Sequence, residues 1–262
     1  MLPPHPEPAA RFTVDDLRVL VYEDRGQAGK AAAAAVARAI AERQEAAGRA
    51  NVIFAAAPSQ DELLAGLVAD GGVDWSRVAG FHMDEYLGLG VDHPASFRRY
   101  LQEHLFGLVG LKELHLIPGE QTDRPLKACL DYEELLLRNP TDVVCAGIGE
   151  NGHLAFNDPP VADFDDPVLV KVVKLDQPCR EQQVNDGCFD RFEDVPTHAY
   201  TLTVPALLRA PVVSVVAVGP RKAEAALAAI RGPISEACPA TALRRHPGAT
   251  LYLDRDSAKL VL

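Results

Sequence analysis

The sequence predicts an α/β fold: a three-layer α/β/α domain built on a mostly parallel, Rossmann-like sheet. Short apolar runs with β-branched residues alternate with helical segments along the chain, as they do in strand–helix–strand units. No internal repeat, low-complexity linker or change in composition divides the 262 residues. We therefore expect a flexible Pro-rich tail at residues 1–10, followed by a single domain at residues 11–262.

The first half of the chain supplies four predicted strands, each followed by a predicted helix. Residues 17–22 alternate as a strand, and residues 27–44 are rich in alanine, the strongest helix former. The next strand, 51–57, is a continuous apolar run. The remaining elements of this half are strands 78–83 and 113–117 and helices 59–67, 96–106 and 125–137.

The centre of the pattern is the segment 143–160. It begins as an apolar run, as expected for a strand buried on both faces, and then breaks at three glycines. These glycines lead into a polar cluster of Asn151, His153, Asn157 and Asp158. A lone histidine after a glycine turn is more often structural than catalytic. Amide and carboxylate neighbours at the carboxyl end of a strand, where ligands bind in open α/β sheets, favour a functional site here.

The second half continues the alternation of strands and helices. Residues 168–175 are rich in β-branched side chains, and residues 211–218 form an apolar run that leads into a helix at 222–230. The remaining predicted elements are strands 200–204 and 250–253 and a helical segment at 238–243. Strands that alternate with helices in this way imply a parallel sheet covered on both faces.

Bulk properties argue against several classes of function. A net charge of −11 is unfavourable for binding a nucleic-acid backbone, although a local pocket of donors still suits a small anion. Five cysteines without a CxxC pair argue against a disulfide framework and a zinc site. No apolar stretch is long enough to span a bilayer, and the N-terminal residues lack the pattern of a secretory signal. We therefore expect a cytoplasmic protein.

A second candidate site follows the strand 78–83. Asp84 and Glu85 stand side by side at its carboxyl end, before a glycine-containing loop, where a carboxylate can act as a general base. For an isolated Asp-Glu pair, a helix cap or a solvated turn is the more common role. The local pattern alone therefore leaves both interpretations open.

Three motifs together resemble the glucosamine-6-phosphate deaminase/isomerase family, whose relatives include the 6-phosphogluconolactonases. They are MDEY at 83–86, HPxS at 93–96 and GIGxNGHLAFNDP at 147–159. The order and spacing of segments match from about residue 27 to residue 254, nearly the whole chain. Extended motifs in register are far more specific than one short pattern.

The resemblance implies an activity and a division of roles. The family interconverts glucosamine 6-phosphate with fructose 6-phosphate and ammonia, and no metal or organic cofactor is implied. Asp84 would move a proton between C2 and C1 through an enol-type intermediate. His153 would open the pyranose ring, which suits a group that titrates near neutral pH. Asn151 and Asp158 would flank His153.

Two positions depart from the family pattern beside His153. The family usually has aspartate where Asn151 stands and glutamate where Asp158 stands. Asn151 lacks the negative charge that favours imidazolium, and Asp158 is one methylene shorter. Ring opening is therefore expected to be slower, or the substrate to differ. A replacement for the missing carboxylate is available just downstream, from Asp163, Asp165 or Asp166.

The resemblance also implies a phosphate site. Ser59, in the loop AAAPSQ at 55–60, matches a hydroxyl position of the family's phosphate loop, with an N-cap as the equally weighted alternative. Lys222 matches the phosphate-binding lysine, and a lysine in the first turn of a helix opposes the helix dipole. Arg180 is a candidate second cation, although a surface role is equally expected. Glu85 is a further candidate for substrate binding.

The leading hypothesis is therefore an enzyme that isomerises and deaminates a small phosphorylated amino sugar. A lactonase-like hydrolase of sugar-acid phosphates is the enzymatic alternative, and the AFND continuation at 155–158 favours the deaminase. The non-enzymatic alternative is a sugar-phosphate sensor that lost turnover through Asn151. No nucleic-acid or membrane partner is expected, and the sequence leaves a homo-oligomer open.

Overall fold

A computed structural model describes residues 6–262, so the expected tail at 1–10 lies partly outside the described residues. Within the described range, no helix is both long and apolar enough to cross a bilayer. The strands are β1 (Ala10–Val14), β2 (Leu17–Tyr22), β3 (Ala50–Phe54), β4 (Val78–His82), β5 (Asp84–Tyr86), β6 (Glu113–His115), β7 (Val143–Gly147), β8 (Val170–Lys174), β9 (His198–Leu202), β10 (Val212–Ala217) and β11 (Ala249–Asp254). The helices are α1 (Arg25–Ala47), α2 (Asp61–Ala69), α3 (Phe97–Leu101), α4 (Pro125–Arg138), α5 (Gln177–Asn185), α6 (Val204–Leu207), α7 (Ala223–Arg231) and α8 (Arg255–Ala258).

Eight strands form the main sheet in the order β1-β2-β11-β10-β7-β3-β4-β6. Every neighbouring pair is parallel except β1 and β2, which confirms the predicted mostly parallel sheet. In the centre, Val144 of β7 pairs with Ile53 of β3 on one side and Val213 of β10 on the other. Alternate residues of these strands enter two separate apolar cores, one on each face of the sheet.

The direction in which strands are added reverses next to β7. After β3 the chain runs outward through β4 and β6, returns to β7, and then continues on the opposite side through β10 and β11. The segments that leave β3 and β7 therefore diverge. Such a reversal opens a crevice at the carboxyl ends of the strands, which is where open α/β sheets bind ligands.

Three strands form a separate antiparallel sheet in the order β5-β9-β8. The sequence pattern predicted strands 168–175 and 200–204 but did not distinguish them from the strands of the main sheet. Strand β5 begins one residue after β4, and the carbonyl of the intervening Met83 accepts the N–H of Leu202 at 2.8 Å. The small sheet therefore fixes Asp84 just beyond the carboxyl end of β4.

Several helical segments differ from the prediction. The segment 59–67 begins as a 3₁₀ turn, Pro58–Gln60, before α2, and α3 continues as a π-helical turn, Gln102–Phe106. The segment 238–243 is a 3₁₀ helix, Pro239–Arg245. Helix α5 was not predicted. Its buried face includes two glutamines, so the chain shows no apolar periodicity there.

Helix α1 packs closely against α2. The side chain of Asp24 caps its N-terminus by accepting the N–H of Gln27, and Gly48 ends it in the left-handed conformation, at φ 76°. Gly29 stands where the two helices meet. A Cβ at this position would lie 2.3 Å from the Cβ of Glu62 and 3.0 Å from its carbonyl carbon. The crossing therefore has no room for a side chain at residue 29.

We expect Gly29→Ala to lower the free energy of unfolding by about 1–2 kcal/mol. Overpacking against backbone costs about 1–3 kcal/mol, and the gain of roughly 1 kcal/mol in helix propensity offsets only part of it. Chemical denaturation of both proteins measures the difference. Gly71→Ala is the matched control, because a Cβ there meets no atom within 4 Å. Equal stability of Gly29→Ala and the parent would contradict the close contact.

Candidate active site

The crevice beside β7 contains an open cavity. Its walls come from the segments after β3, β4, β7 and β10, from the start of α3, and from the end of α5 with the turn that follows it. Two aromatic rings, Phe97 and Phe156, form its apolar wall. The polar or charged side chains that line it are Ser59, Asp84, His153, Gln182, Gln183, Asp186 and Lys222. Four of these were candidate site residues from the sequence, and the fold brings them to one cavity.

Asp84 lines the cavity and is only 7% exposed. Within residues 6–262, no group donates a hydrogen bond to its carboxylate. Burial raises the pKa of Asp84 well above the ordinary aspartate value, and the neighbouring Glu85 raises it further. An unpaired carboxylate with a raised pKa is a stronger base than an ordinary aspartate, so Asp84 is suited to removing a proton from carbon.

The main chain of Asp84 is held by His82. Its ring Nδ1 lies 2.9 Å from the carbonyl oxygen of Asp84, and its Nε2 accepts the N–H of Ile117 at 2.8 Å. Since Nε2 accepts, the proton is on Nδ1, which donates to the carbonyl. Burial lowers the pKa of His82 to about 3, so the ring is neutral at physiological pH. His82 therefore positions Asp84 without adding charge.

His153 lies against the fully buried carboxylate of Asp158. The His153 Nδ1 and Asp158 Oδ1 atoms are 3.0 Å apart, although the ring N–H is not aligned on the oxygen as a hydrogen bond. Asn151 Nδ2 donates to the same oxygen at 3.0 Å, and the N–H of Asp176 donates to Oδ2 at 3.2 Å. Burial alone would raise the pKa of Asp158, but these contacts together lower it. The charged form of Asp158 is therefore favoured next to the imidazole.

The structure changes the interpretation of Asn151. The sequence indicated that its amide lacks the negative charge of the family's usual aspartate and that ring opening would be slower, and in the structure the carboxylate beside His153 comes from Asp158. Asn151 instead links the two residues: its Oδ1 accepts the main-chain N–H of His153 at 3.1 Å, and its Nδ2 donates to Asp158. Its role in this structure is to orient the pair.

The downstream acidic residues do not replace a carboxylate at this site. Asp166 pairs with Lys171 at 2.7 Å. Asp163 accepts the main-chain N–H of Asp165 at 2.8 Å, in an exposed turn. None of these three carboxylates lines the cavity.

The loop that carries His153 needs a glycine. A Cβ on Gly149 would lie 2.1 Å from Cε1 of His153, so the imidazole can lie over the loop only because position 149 has no side chain. Ala155, two residues after the histidine, has φ 52°, which is unusual for a residue with a Cβ. It too lines the cavity. Backbone strain of this kind is often found at functional sites.

The opposite end of the cavity carries Ser59 and Lys222. Ser59 lies in the turn Pro58–Gln60 and does not cap a helix, so the N-cap alternative is wrong. Lys222 is 9% exposed and has no ion pair within residues 6–262. Burial lowers its pKa, and the nearby carboxylates of Asp186 and Glu150 oppose that shift. A hydroxyl and a buried, unpaired cation together suit a bound anion.

Two of the predicted substrate-binding residues lie outside the cavity. The Glu85 carboxylate is fully buried and accepts the N–H groups of residues 86, 97 and 98, the Ser96 hydroxyl and the Arg98 side chain. It therefore holds the segment that follows β5. Arg180 donates to the carbonyls of residues 192 and 195 and stacks on the Phe192 ring, 4.0 Å from its centroid. Neither residue lines the cavity.

Helix α5 and the turn that follows it supply lining residues that the sequence did not identify: Gln182, Gln183, Asp186 and Cys188. Gln182 uses both ends of its amide, since Oε1 accepts the N–H of Glu150 at 2.8 Å and Nε2 donates to Asp186 at 3.2 Å. One sequence signal for these residues was available: a run of polar residues follows the carboxyl end of the predicted strand 168–175.

Three donors of the kind that bind metals cluster around Asp158. The donor atoms of His153, Asp158 and Cys179 all lie within 4.8 Å of one another, and all three residues are buried. The Asp158 carboxylate already accepts from Asn151 and from the main chain. Burial raises the pKa of the Cys179 thiol, and the adjacent Asp158 raises it further. A protonated thiol beside an occupied carboxylate fits a hydrogen-bonded network.

Known proteins resemble the chain over most of its length. The model of a family described as glucosamine-6-phosphate isomerases/6-phosphogluconolactonase matches residues 23–252. A glucosamine-6-phosphate deaminase of Listeria monocytogenes serotype 4a is 37% identical over 222 residues, which covers 85% of this chain and 92% of that protein. A glucosamine-6-phosphate deaminase of Bacillus cereus is 38% identical over 188 residues, covering 72% of this chain and 70% of that protein.

Solved structures agree with the fold. The structure of a monomeric glucosamine-6-phosphate deaminase superimposes with a TM-score of 0.83 at 26% identity, covering 92% of this chain and 99% of that one. A 6-phosphogluconolactonase from Shewanella baltica has a TM-score of 0.71 at 18% identity, covering 93% and 97%, and shares the fold. The chain belongs to the glucosamine-6-phosphate isomerase/6-phosphogluconolactonase family.

Proposed function

We propose that the chain is a glucosamine-6-phosphate deaminase, which converts glucosamine 6-phosphate and water into fructose 6-phosphate and ammonia. One observation carries the proposal: a single cavity holds an unpaired carboxylate, Asp84, and a separate pair, His153 and Asp158. The reaction needs two proton-transfer groups with different tasks. One must act on carbon, and the other must open the sugar ring near neutral pH.

Ring opening is the task that suits His153. It donates a proton to the ring oxygen as the C1–O5 bond breaks and the O1 hydroxyl loses its proton, which leaves an aldehyde at C1. The Asp158 carboxylate lies 3.0 Å from the ring Nδ1 and orients the imidazole. The aldehyde then makes the C2 proton acidic enough for a carboxylate to remove.

Asp84 performs the transfer on carbon. Its carboxylate removes the C2 proton to give an enol-type intermediate and returns it to C1, which leaves an imine at C2. Water hydrolyses the imine to the ketone of fructose 6-phosphate and releases ammonia. The phosphate at C6 binds to Lys222 and Ser59, which orients the sugar so that C1 and C2 reach the two proton-transfer groups.

The structure supports this assignment over the two alternatives. Lactone hydrolysis needs a base to activate a water at C1 and requires no proton transfer at C2, so it leaves either Asp84 or the His153–Asp158 pair without a task. The sensor hypothesis depended on the missing carboxylate at residue 151, and Asp158 supplies a carboxylate beside His153.

Incubation with glucosamine 6-phosphate, followed by assays of ammonia and of fructose 6-phosphate, tests the proposal. We expect both products in equal amounts. Hydrolysis of 6-phosphogluconolactone without either product would establish the lactonase alternative. Binding of glucosamine 6-phosphate with no product would establish the sensor.

We expect Asp84→Asn to abolish isomerisation while leaving substrate binding largely intact, because the amide has the same shape but cannot accept the proton. Exchange of the C2 proton with deuterated solvent reports this step directly. Exchange at the parent rate in the variant would exclude Asp84 as the base.

The same variant should be more stable than the parent. Because the pKa of Asp84 is raised in the folded state, the folded protein binds more protons than the unfolded one between the ordinary and the raised pKa. Stability therefore falls as pH rises through that window, and asparagine avoids the loss. Thermal unfolding from about pH 4 to about pH 8 should show a growing advantage for Asp84→Asn. The exposed Asp16→Asn is the control and should show none.

Lys222→Ala should raise KM for the phosphorylated sugar by roughly 10- to 150-fold, since a charge-assisted contact contributes about 1.5–3 kcal/mol. Affinity for unphosphorylated glucosamine should change little. The exposed Lys259→Ala serves as a control for loss of positive charge. Equal losses for both sugars would show that Lys222 does not contact the phosphate.

Asn151→Asp should lower turnover and stability, because it replaces a donor with a second carboxylate 3.0 Å from Asp158. Two like charges at that distance raise the pKa of the pair. The acid limb of the kcat profile should therefore move to higher pH. The exchanged double variant Asn151→Asp with Asp158→Asn restores one donor and one acceptor, so it should recover stability but not turnover. Higher kcat in Asn151→Asp would contradict the orienting role of Asn151.

A further inference from the structure

Gln183 joins α5 to the strand that carries Asp84. Its side chain lines the cavity and is 7% exposed. Its Oε1 accepts the hydroxyl of Tyr86 at 2.7 Å, and Tyr86 is fully buried at the end of β5, two residues after Asp84. This hydrogen bond fixes the position and the orientation of the amide.

The other end of the amide is free for a ligand. Within residues 6–262, the Gln183 Nε2 donates to no group, whereas the amide of Gln182 is used at both ends. The Nε2 atom is not enclosed by protein, and the side chain lines the cavity, so its N–H groups face that cavity. A side-chain amide nitrogen carries two donors, and hydroxyl oxygens are suitable acceptors for both.

The position of Gln183 identifies the part of the ligand that it faces. An adjoining cavity at the phosphate end is lined by Ser59, Gln182, Asp186 and Lys222, but not by Gln183. Gln183 therefore lies on the Asp84 side of the phosphate-binding residues. A hexose phosphate with its phosphate at Lys222 and its C1–C2 bond at Asp84 presents its C3 and C4 hydroxyls between the two.

We propose that Gln183 is a specificity-determining residue, whose side-chain NH₂ group donates a hydrogen bond to the C3 or C4 hydroxyl of the sugar. This inference rests on the proposed function, because that function defines the orientation of the sugar. It adds a contact to the middle of the substrate, which neither Lys222 nor the proton-transfer groups recognise. A site that hydrogen-bonds a hydroxyl discriminates against analogues that lack it.

A cycle of enzyme and substrate changes tests the contact. Gln183→Met preserves length but has no donor, and it is assayed with glucosamine 6-phosphate and its 3-deoxy and 4-deoxy analogues. We expect kcat/KM for the parent sugar to fall roughly 3- to 10-fold. For the analogue that lacks the contacted hydroxyl, Gln183→Met and the parent enzyme should have the same kcat/KM. This result also identifies which hydroxyl is contacted. Equal losses on all three sugars would overturn the proposal.

Two further variants separate this role from folding. Gln177→Met, on the exposed face of α5, should leave all three values of kcat/KM at the parent level. Gln183→Asn keeps an amide but withdraws it by one methylene, so it should show the same hydroxyl-dependent loss if Gln183→Met fails to fold. A fully active Gln183→Asn with unchanged discrimination would overturn the proposal.

A binding measurement separates failure of this inference from failure of the proposed function. Glucitol 6-phosphate, a linear and unreactive hexose derivative, is titrated calorimetrically into the parent and into Gln183→Met. If the parent releases no ammonia from glucosamine 6-phosphate, the proposed function fails. Weaker binding to Gln183→Met would even then support the hydroxyl contact, and equal affinity for the two proteins would overturn it.

Discussion

The reversal of strand order beside β7 is the constraint from which the site follows. Parallel strands all run in the same direction, so the segments that follow their carboxyl ends all lie at the same edge of the sheet. The segments after β3 and β7 must diverge, because one leads outward to β4 and the other toward β10. The space between them receives Ser59 from one side and His153 from the other. Residues that lie about a hundred positions apart in the chain thus share one cavity.

Around that cavity, the buried carboxylates differ in how far hydrogen bonds compensate their charge. Glu85 and Asp84 are adjacent carboxylates, and both are buried. Glu85 receives hydrogen bonds from main-chain and side-chain donors, whereas Asp84 receives none within residues 6–262. Burial of an uncompensated charge is unfavourable, so Asp84 reduces stability at neutral pH. A protein tolerates such a group where the reaction needs it, and surrounding structure compensates elsewhere.

Asp158 represents the intermediate case. It is compensated by donors from Asn151 and the main chain, yet one of its oxygens still contacts the imidazole of His153. The shorter side chain in place of the family's usual glutamate still reaches the histidine. The amide at residue 151 supplies a donor where the family usually has an acid. The two departures from the family pattern are therefore complementary: one carboxylate remains, and the amide orients it.

The sequence by itself determined the alternation of strands and helices, the parallel sheet and the motifs at residues 83–86 and 147–159. These features are local, because periodicity and glycine turns depend on neighbours along the chain. It also identified Asp84, His153, Ser59 and Lys222, which the fold brings to one cavity. Strand ends are readable from the sequence, and parallel strands bring their carboxyl ends together.

Only the tertiary structure decided which partner each polar side chain has. Glu85 and Arg180 had the residue types of a binding site, but Glu85 binds the segment that follows β5 and Arg180 binds the carbonyls of residues 192 and 195. The role of Asn151 depended on where Asp158 lies. The sequence pattern did not predict helix α5, because polar residues occupy its buried face. The Gln183 side chain accepts a hydrogen bond from Tyr86, which lies 97 positions earlier in the chain. A hydrogen bond over that separation leaves no periodic trace in the sequence, because its geometry exists only after the strands and helices have packed.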